Sequence, residues 1–268
     1  MTDKPVQLFI DDLLRRKKLR EASKNSDEAT YLFHSLSESS IQALLSNSIM
    51  QNCAGGKHLV QQGDTPTHLF FIIKGGIKTV RYGADGDEAT IRLLHSGETF
   101  MDAVIFMGGK SPINAVAIED SSLLMIPAET VRRHVLQDAQ FACNLLKIIT
   151  RHYKNAMQQI DGIITKTPME RLGYYLLKQH LEQGSDSMDI ALTFQKSMIA
   201  NHLGMTPETF SRVLNRIKKM GIYVDQEKIT LRDAYVLCHF CDPDTAHTCP
   251  RFNADECPLC NDNLKGYH

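Results

Sequence analysis

The stretch Gln195-Lys-Ser-Met-Ile-Ala200-Asn-His-Leu-Gly204-Met205-Thr-Pro207-Glu208-Thr209-Phe-Ser211-Arg212-Val-Leu-Asn215-Arg216-Ile-Lys218-Lys219 decides the fold. Two short helical runs are broken in the middle by Leu203 to Pro207, where a glycine supplies a turn and a proline suits the first position of the next helix. This reads as a helix-turn-helix. Its second helix carries Arg212, Arg216, Lys218 and Lys219 against the single acid Glu208, a local charge of +3. Gly221, Tyr223-Val224 and Ile229-Thr230-Leu231 follow around Asp225 to Lys228, the pattern of a two-stranded wing.

A helix fits the major groove of DNA, with its first turns aimed at base edges and later basic residues at phosphates. Arg212 can bond a guanine bidentately, Glu208 can accept from a cytosine amino group, and Ser211 is short enough to reach either strand, with Thr209 beside them. Arg216 and Lys218 suit the backbone. Spacing alone also describes a solvated basic face; the helix-turn-helix context turns the reading toward DNA.

Working toward the N-terminus, Ile190 to Phe194 suits a short strand, and Thr167-Pro168 opens a helix that carries Leu172, Leu176 and Leu177 and ends near Gly184. Before it, Ala142, Leu146, Ile149, Tyr153, Ala156, Ile160 and Ile163 are spaced alternately four and three apart. Such a heptad seam is a helix packing on its own domain or a dimer seam; its place between two domains favours the dimer.

Between Gly55 and Gly109 lie ten of the sixteen glycines, separating short β-type runs such as His68-Leu-Phe-Phe-Ile-Ile73 and Ile77-Lys-Thr-Val-Arg-Tyr82. Asp85-Gly86 suits a tight turn joining Thr79 to Tyr82 with Ala89 to Leu94, and an all-β roll or barrel is expected. Earlier still, Leu36, Ile41, Leu44 and Leu45 mark a short helix capped by Ser37, preceded by an amphipathic helix and the polar stretch Glu21 to Thr30.

The whole chain has 268 residues, 43% of them hydrophobic, enough for one or two domains with a real core. Its formal charge of -1 announces no polyanion partner, so a nucleic acid must be met by a local patch. No signal-peptide hydrophobic region is present, and the strongly apolar run Leu69 to Ile73 is far short of a bilayer span, so a cytoplasmic protein without a membrane partner is expected. Five of the seven cysteines fall in the last 31 residues, which carry two basic against five acidic residues. In a reducing compartment such a cluster suggests metal ligands or redox groups.

The run Ala200 to Arg212 resembles the recognition motif of the CRP/FNR family of bacterial transcription regulators, and its Glu208-Thr209-x-Ser211-Arg212 is similar to the FNR and DNR branch, as is Gly97-Glu-Thr-Phe-Met-Asp-Ala-Val-Ile-Phe-Met107. The resemblance covers roughly residues 31 to 237. It implies an α+β chain with a double-stranded, cyclic-nucleotide-binding-like β-roll sensor over 31–137, a dimerisation helix over 138–164 and a winged helix-turn-helix over 165–237; an arm over 1–30 precedes these, and an unusual Cys-rich tail over 238–268 lies beyond them. It further implies a homodimer on a palindromic, double-stranded operator with TTGAT-type half-sites read by Glu208, Ser211 and Arg212, and RNA polymerase as partner if the protein activates.

Cyclic-AMP-binding relatives pair a Gly-Glu in the roll with a downstream arginine that holds the phosphate. Gly97 and Glu98 fit the first element of that effector pocket, but Lys110-Ser-Pro-Ile-Asn-Ala115 has no arginine, so cyclic AMP is not expected and Glu98 reads as a turn-adjacent surface acid. Haem, associated with DNR-like relatives, finds Thr30 and Tyr31 where those relatives place paired histidines, and His34, His58, His68 and His95 are isolated; it stays an alternative with no assigned ligand. The tail reads Cys238-x2-Cys241-x7-Cys249-x7-Cys257-x2-Cys260. Four of these suit a zinc site, while Cys249-Pro250 and Cys257-Pro258 are similar to iron-sulfur loops, and the iron-sulfur reading is slightly favoured because a sensor of redox, oxygen or nitric oxide is needed. A bound metal would order the tail against a helix Asp233 to Leu237 and the dimerisation helix. Cys53 and Cys143 read as buried apolar residues. Two other classes compete: a ligand-gated interaction module that does not bind DNA, against which the polar and basic content of Gln195 to Lys219 argues, and an enzyme, for which the sequence offers no phosphate loop, local Ser/His/Asp set or paired carboxylates, so none is expected.

Overall fold

A computed structural model describes residues 4–23, 32–83, 85–183, 188–225, 228–233 and 235–246. The chain divides into two compact units, Met1–Ala156 and Met157–His268. No helix among the described residues is long and apolar enough to cross a membrane.

The first unit opens with helix α1 (Lys4–Ser23) and α2 (Glu38–Leu45). Ser37 caps α2 as its sequence position suggests, accepting a hydrogen bond from Ser40 N at 3.1 Å. Eight strands follow: β1 (Ile49–Cys53), β2 (His58–Val60), β3 (His68–Lys74), β4 (Gly76–Tyr82), β5 (Glu88–His95), β6 (Thr99–Phe100), β7 (Asn114–Ala117) and β8 (Ser121–Pro127), with the short helix α3 (Val104–Met107) after β6. They form two antiparallel four-stranded sheets, ordered β1-β8-β3-β6 and β2-β7-β4-β5. The β4–β5 hairpin pairs Tyr82 with Glu88 and Arg81 with Ala89, closing over Gly86 at φ +84°. At Gly75, between β3 and β4, φ is +94° and a Cβ would stand 2.8 Å from Ser121 Cα, so only glycine fits the turn.

Residues 4–16 are more than an arm. Val6, Ile10 and Leu13 are buried with Leu32, Phe33 and Phe71, and the Phe9 ring lies 6.0 Å from both Phe33 and Phe71. The apolar stripe of α1 thus finds its partner in the roll's own core. After β8, helix α4 (Ala128–Gln137) ends at Asp138, whose carboxylate accepts from Phe141 N at 3.0 Å and starts the long helix α5 (Ala139–Thr165). Two faces of α5 then part company: Phe141, Leu145 and Ile148 are buried in the roll core, while Leu146, Tyr153, Ile160 and Ile163 of the heptad seam are 50% to 66% exposed. Ala142 and Ile149 are half-buried, and Ala156 is exposed. Cys53 is buried as expected, and burial raises its thiol pKa. Cys143 is exposed instead, because two helical steps beyond Phe141 point it away from the core stripe.

The second unit contains α6 (Pro168–Gln183), β9 (Asp189–Ala191), α7 (Lys196–His202), α8 (Pro207–Lys218), β10 (Ile222–Val224), β11 (Lys228–Leu231) and a small helix α9 (Pro243–Ala246). Thr167 and Glu170 cap α6 reciprocally: Glu170 N donates to Thr167 Oγ1 at 3.4 Å, and Thr167 N to Glu170 Oε2 at 2.7 Å. The strand near Ile190 is shorter than the 190–194 expected, yet it completes a three-stranded sheet ordered β10-β11-β9. Instead of a helix over 233–237, a 3-10 turn runs from Val236 to Phe240, set up by Asp233 accepting from Tyr235 N at 2.8 Å.

Candidate nucleic-acid interface

Helix α8 presents two edges of opposite chemistry. Phe210, Val213 and Ile217 are buried, and Glu208, Ser211, Arg212, Asn215, Arg216, Lys218 and Lys219 are all exposed, with Thr209 half-buried between them. The apolar edge rests on α6 and α7. Thr206 caps the helix, accepting from Thr209 N at 3.2 Å, and Gly204 turns the chain at φ +63°. From the second turn Arg212 reaches back along the helix, its Nη2 donating to Thr209 Oγ1 at 3.3 Å. The Glu208 carboxyl is held below its ordinary value by its own backbone N–H, then by the Thr206 hydroxyl and the charge of Arg212, so at neutral pH it can only accept hydrogen bonds.

The C-terminal end of α7, where the pair turns, is held from α5. Gln159 Nε2 donates to the carbonyl of His202, the last residue of α7, at 3.0 Å, and Tyr175 of α6 sets its ring edge-on to His202 at 6.4 Å. A helix leaves its final carbonyls without intrahelical donors, and Gln159 supplies one. Sequence spacing gave no sign of this contact, because its partners are 43 residues apart.

Among the expected effector residues, Gly97 and Glu98 build the turn after β5: Gly97 N donates to Ile72 O at 2.8 Å, and Glu98, half-buried, accepts from His95 N at 2.9 Å. A buried polar cluster of the roll lies elsewhere, where Thr99 and Asp102 meet the half-buried Arg92 and His152. Thr99 Oγ1 donates to Asp102 Oδ2 at 2.6 Å, and His152 Nδ1 stands 3.3 Å from the same oxygen. Burial pushes the Asp102 carboxyl up, but His152, Arg92 and Thr99 together outweigh it and hold it below the ordinary carboxylate value. Charged residues at positions 92 and 102, within otherwise apolar β-roll segments, are the sequence signal for this cluster. Of the isolated histidines, His34, His68 and His95 each bond an adjacent residue, and His58 is exposed on β2.

Cys238 and Cys241 are half-buried on and just after the 3-10 turn, with Cys241 N donating to Cys238 O at 3.1 Å. Both thiols therefore leave one tight turn, the arrangement a Cys-x2-Cys metal grip uses. Among the described residues no three His, Cys, Asp or Glu side chains are gathered to hold a metal; Cys249, Cys257 and Cys260 lie outside them.

An eight-stranded roll, a long helix and a winged helix-turn-helix with an exposed basic edge define a DNA-binding transcription regulator. Residues 50–138 match the cyclic nucleotide-binding domain model and residues 170–240 the Crp-like helix-turn-helix domain model. The cyclic AMP receptor protein of Thermus thermophilus is 28% identical over 191 residues, covering 71% of this chain and 87% of that one. The anaerobic regulatory protein of Pasteurella multocida is 29% identical over 184 residues, 67% of each chain. The fold is also that of FixK2 from Bradyrhizobium japonicum, with a TM-score of 0.65 at 20% identity over 73% of this chain and 98% of that one. The chain belongs to the CRP/FNR family of transcription regulators.

Proposed function

We propose that the protein is a homodimeric, sequence-specific regulator that reads a palindromic operator with TTGAT-type half-sites through Glu208, Thr209, Ser211 and Arg212, and grips phosphates through Arg216 and Lys218. The observation that carries this reading is the division of α8: every charged residue on it is exposed, and its apolar edge is buried. A helix so mounted offers a whole polar face to a groove without disturbing its own domain. The exposed seam on α5 supports the homodimer, since Leu146, Tyr153, Ile160 and Ile163 leave apolar surface that a second copy would cover.

The signal in this reading is redox, oxygen or nitric oxide, received by the tail. Cys238 and Cys241, with Cys249, Cys257 and Cys260, would hold an iron-sulfur cluster or a zinc ion. A cluster would supply the redox and oxygen sensitivity; zinc would order the tail. Anaerobic purification with iron, sulfide and zinc analysis separates them: iron with sulfide supports the cluster, and stoichiometric zinc without iron overturns it. RNA polymerase is the further partner if the protein activates.

DNA reading is tested on an operator selected by the protein from a random duplex pool. Arg212→Ala should weaken it by about 1–3 kcal/mol and relax the preference at one base position. Lys218→Ala should weaken all sequences alike and reduce the salt slope by about 1. Binding that shows no base preference in the unmodified protein would sink the reading.

A further inference from the structure

Gly173 stands in the interior of α6, where glycine disfavours the helix. Its reason is Phe240: a Cβ at Gly173 would collide with the face of the Phe240 ring, against Cγ, Cδ1 and Cδ2. Phe240 is buried there, with Val236 and Leu237 beside it in the same turn. Two polar ties extend the seat. Lys166 Nζ stands 3.8 Å from Asp242 Oδ2 and 5.2 Å above the Tyr174 ring, and Tyr174 Oη is 3.0 Å from Thr245 Oγ1. The segment from Val236 to Ala246 is thus held at α6 by the Phe240 ring and the Tyr174–Thr245 hydrogen bond, and just ahead of α6 by the Lys166–Asp242 ion pair. The same helix α6 packs against the recognition helix α8. Cys238 precedes the ring by two residues and Cys241 follows it directly, so the two thiols bracket the one side chain that α6 has given up a Cβ to admit.

We propose that Gly173 and Phe240 are positioning residues for DNA recognition: the ring's seat ties the dicysteine turn to α6 and through it to α8, so that engaging Cys238 and Cys241 alters operator affinity. The inference rests on the reading of α8 as the DNA-contacting helix. It gives the tail thiols a route to DNA that needs no contact between tail and duplex.

The test is a thermodynamic cycle on the full chain with the selected operator. Phe240→Ala, which empties the seat, and Gly173→Ala, which fills it with a methyl group while favouring the helix, should each weaken operator binding at least fivefold. Each should also speed iodoacetamide labelling of Cys238 and Cys241, quantified by peptide mass spectrometry, severalfold, with Cys143 unchanged. The pair Cys238→Ser/Cys241→Ser should shift affinity in the otherwise unmodified protein and produce no further shift on the Phe240→Ala background. A structural role alone would let the effects multiply, and equal shifts on both backgrounds overturn the proposal. So does wild-type affinity or wild-type labelling in both ring-seat variants. If the unmodified protein selects no operator, the reading of α8 fails with it.

Discussion

Arg92 Nη2 stands 2.7 Å from Nε2 of His152, joining strand β5 to helix α5 inside the first unit. A guanidinium only donates, so Nε2 accepts, and the other ring nitrogen, Nδ1, is turned toward Asp102. The buried carboxylate is held ionised by His152 first and then by the charge of Arg92. Arg92→Leu should destabilise the protein by about 2–3 kcal/mol in urea unfolding, and adding Asp102→Asn should recover part of the loss. A double variant no more stable than the single one would show that the two charges are not coupled.

His134 makes stability depend on pH. Its Nε2 lies 2.8 Å from Ser40 Oγ, and Ser40 also bonds the Asp138 carboxylate. Burial lowers the His134 pKa below its ordinary 6.5, against the pull of Asp138 and with help from Arg133. The folded state therefore binds its proton less readily than the unfolded chain, and stability falls as pH drops below about 6.5. Melting temperatures from pH 7.5 to 5.5 should fall less steeply for His134→Gln than for the unmodified protein.

Gln159 should matter to DNA more than to stability. Gln159→Leu removes the hydrogen bond that Gln159 gives the His202 carbonyl, a loss of about 1 kcal/mol, expected as roughly fivefold weaker operator binding. Gln159→Lys, which restores a donor, should recover affinity in anisotropy titrations, and failure to recover would assign the effect to packing.

The exposed seam predicts assembly. Tyr153→Glu with Ile160→Glu changes only side chains already exposed in one copy, so the fold should survive. The sedimenting mass should fall from twice 30.2 kDa to 30.2 kDa, with loss of binding to a full palindrome. An unaltered dimer would place the interface elsewhere.

Local chemistry made much of this molecule legible in one dimension. Ser37 capping α2, Asp85-Gly86 closing the β4–β5 hairpin, Thr167-Pro168 starting α6 and Gly204-Met205-Thr206-Pro207 breaking the recognition pair are short-range signals, each acting within about four residues of itself. The polar edge of α8 was legible for the same reason, since periodicity alone separates Phe210, Val213 and Ile217 from Arg212 and Arg216.

What the sequence by itself determined, then, is the order of elements, the recognition helix and the dicysteine spacing. Tertiary structure alone decided that α1 is core, that Cys143 faces solvent, that Arg92 meets His152 across 60 residues, and that the glycine within α6 exists for a ring 67 residues later. Periodicity reports which side of an element is apolar, but not which distant element will cover it. That choice belongs to packing, where each buried side chain or charge takes whatever partner the closed fold brings within contact.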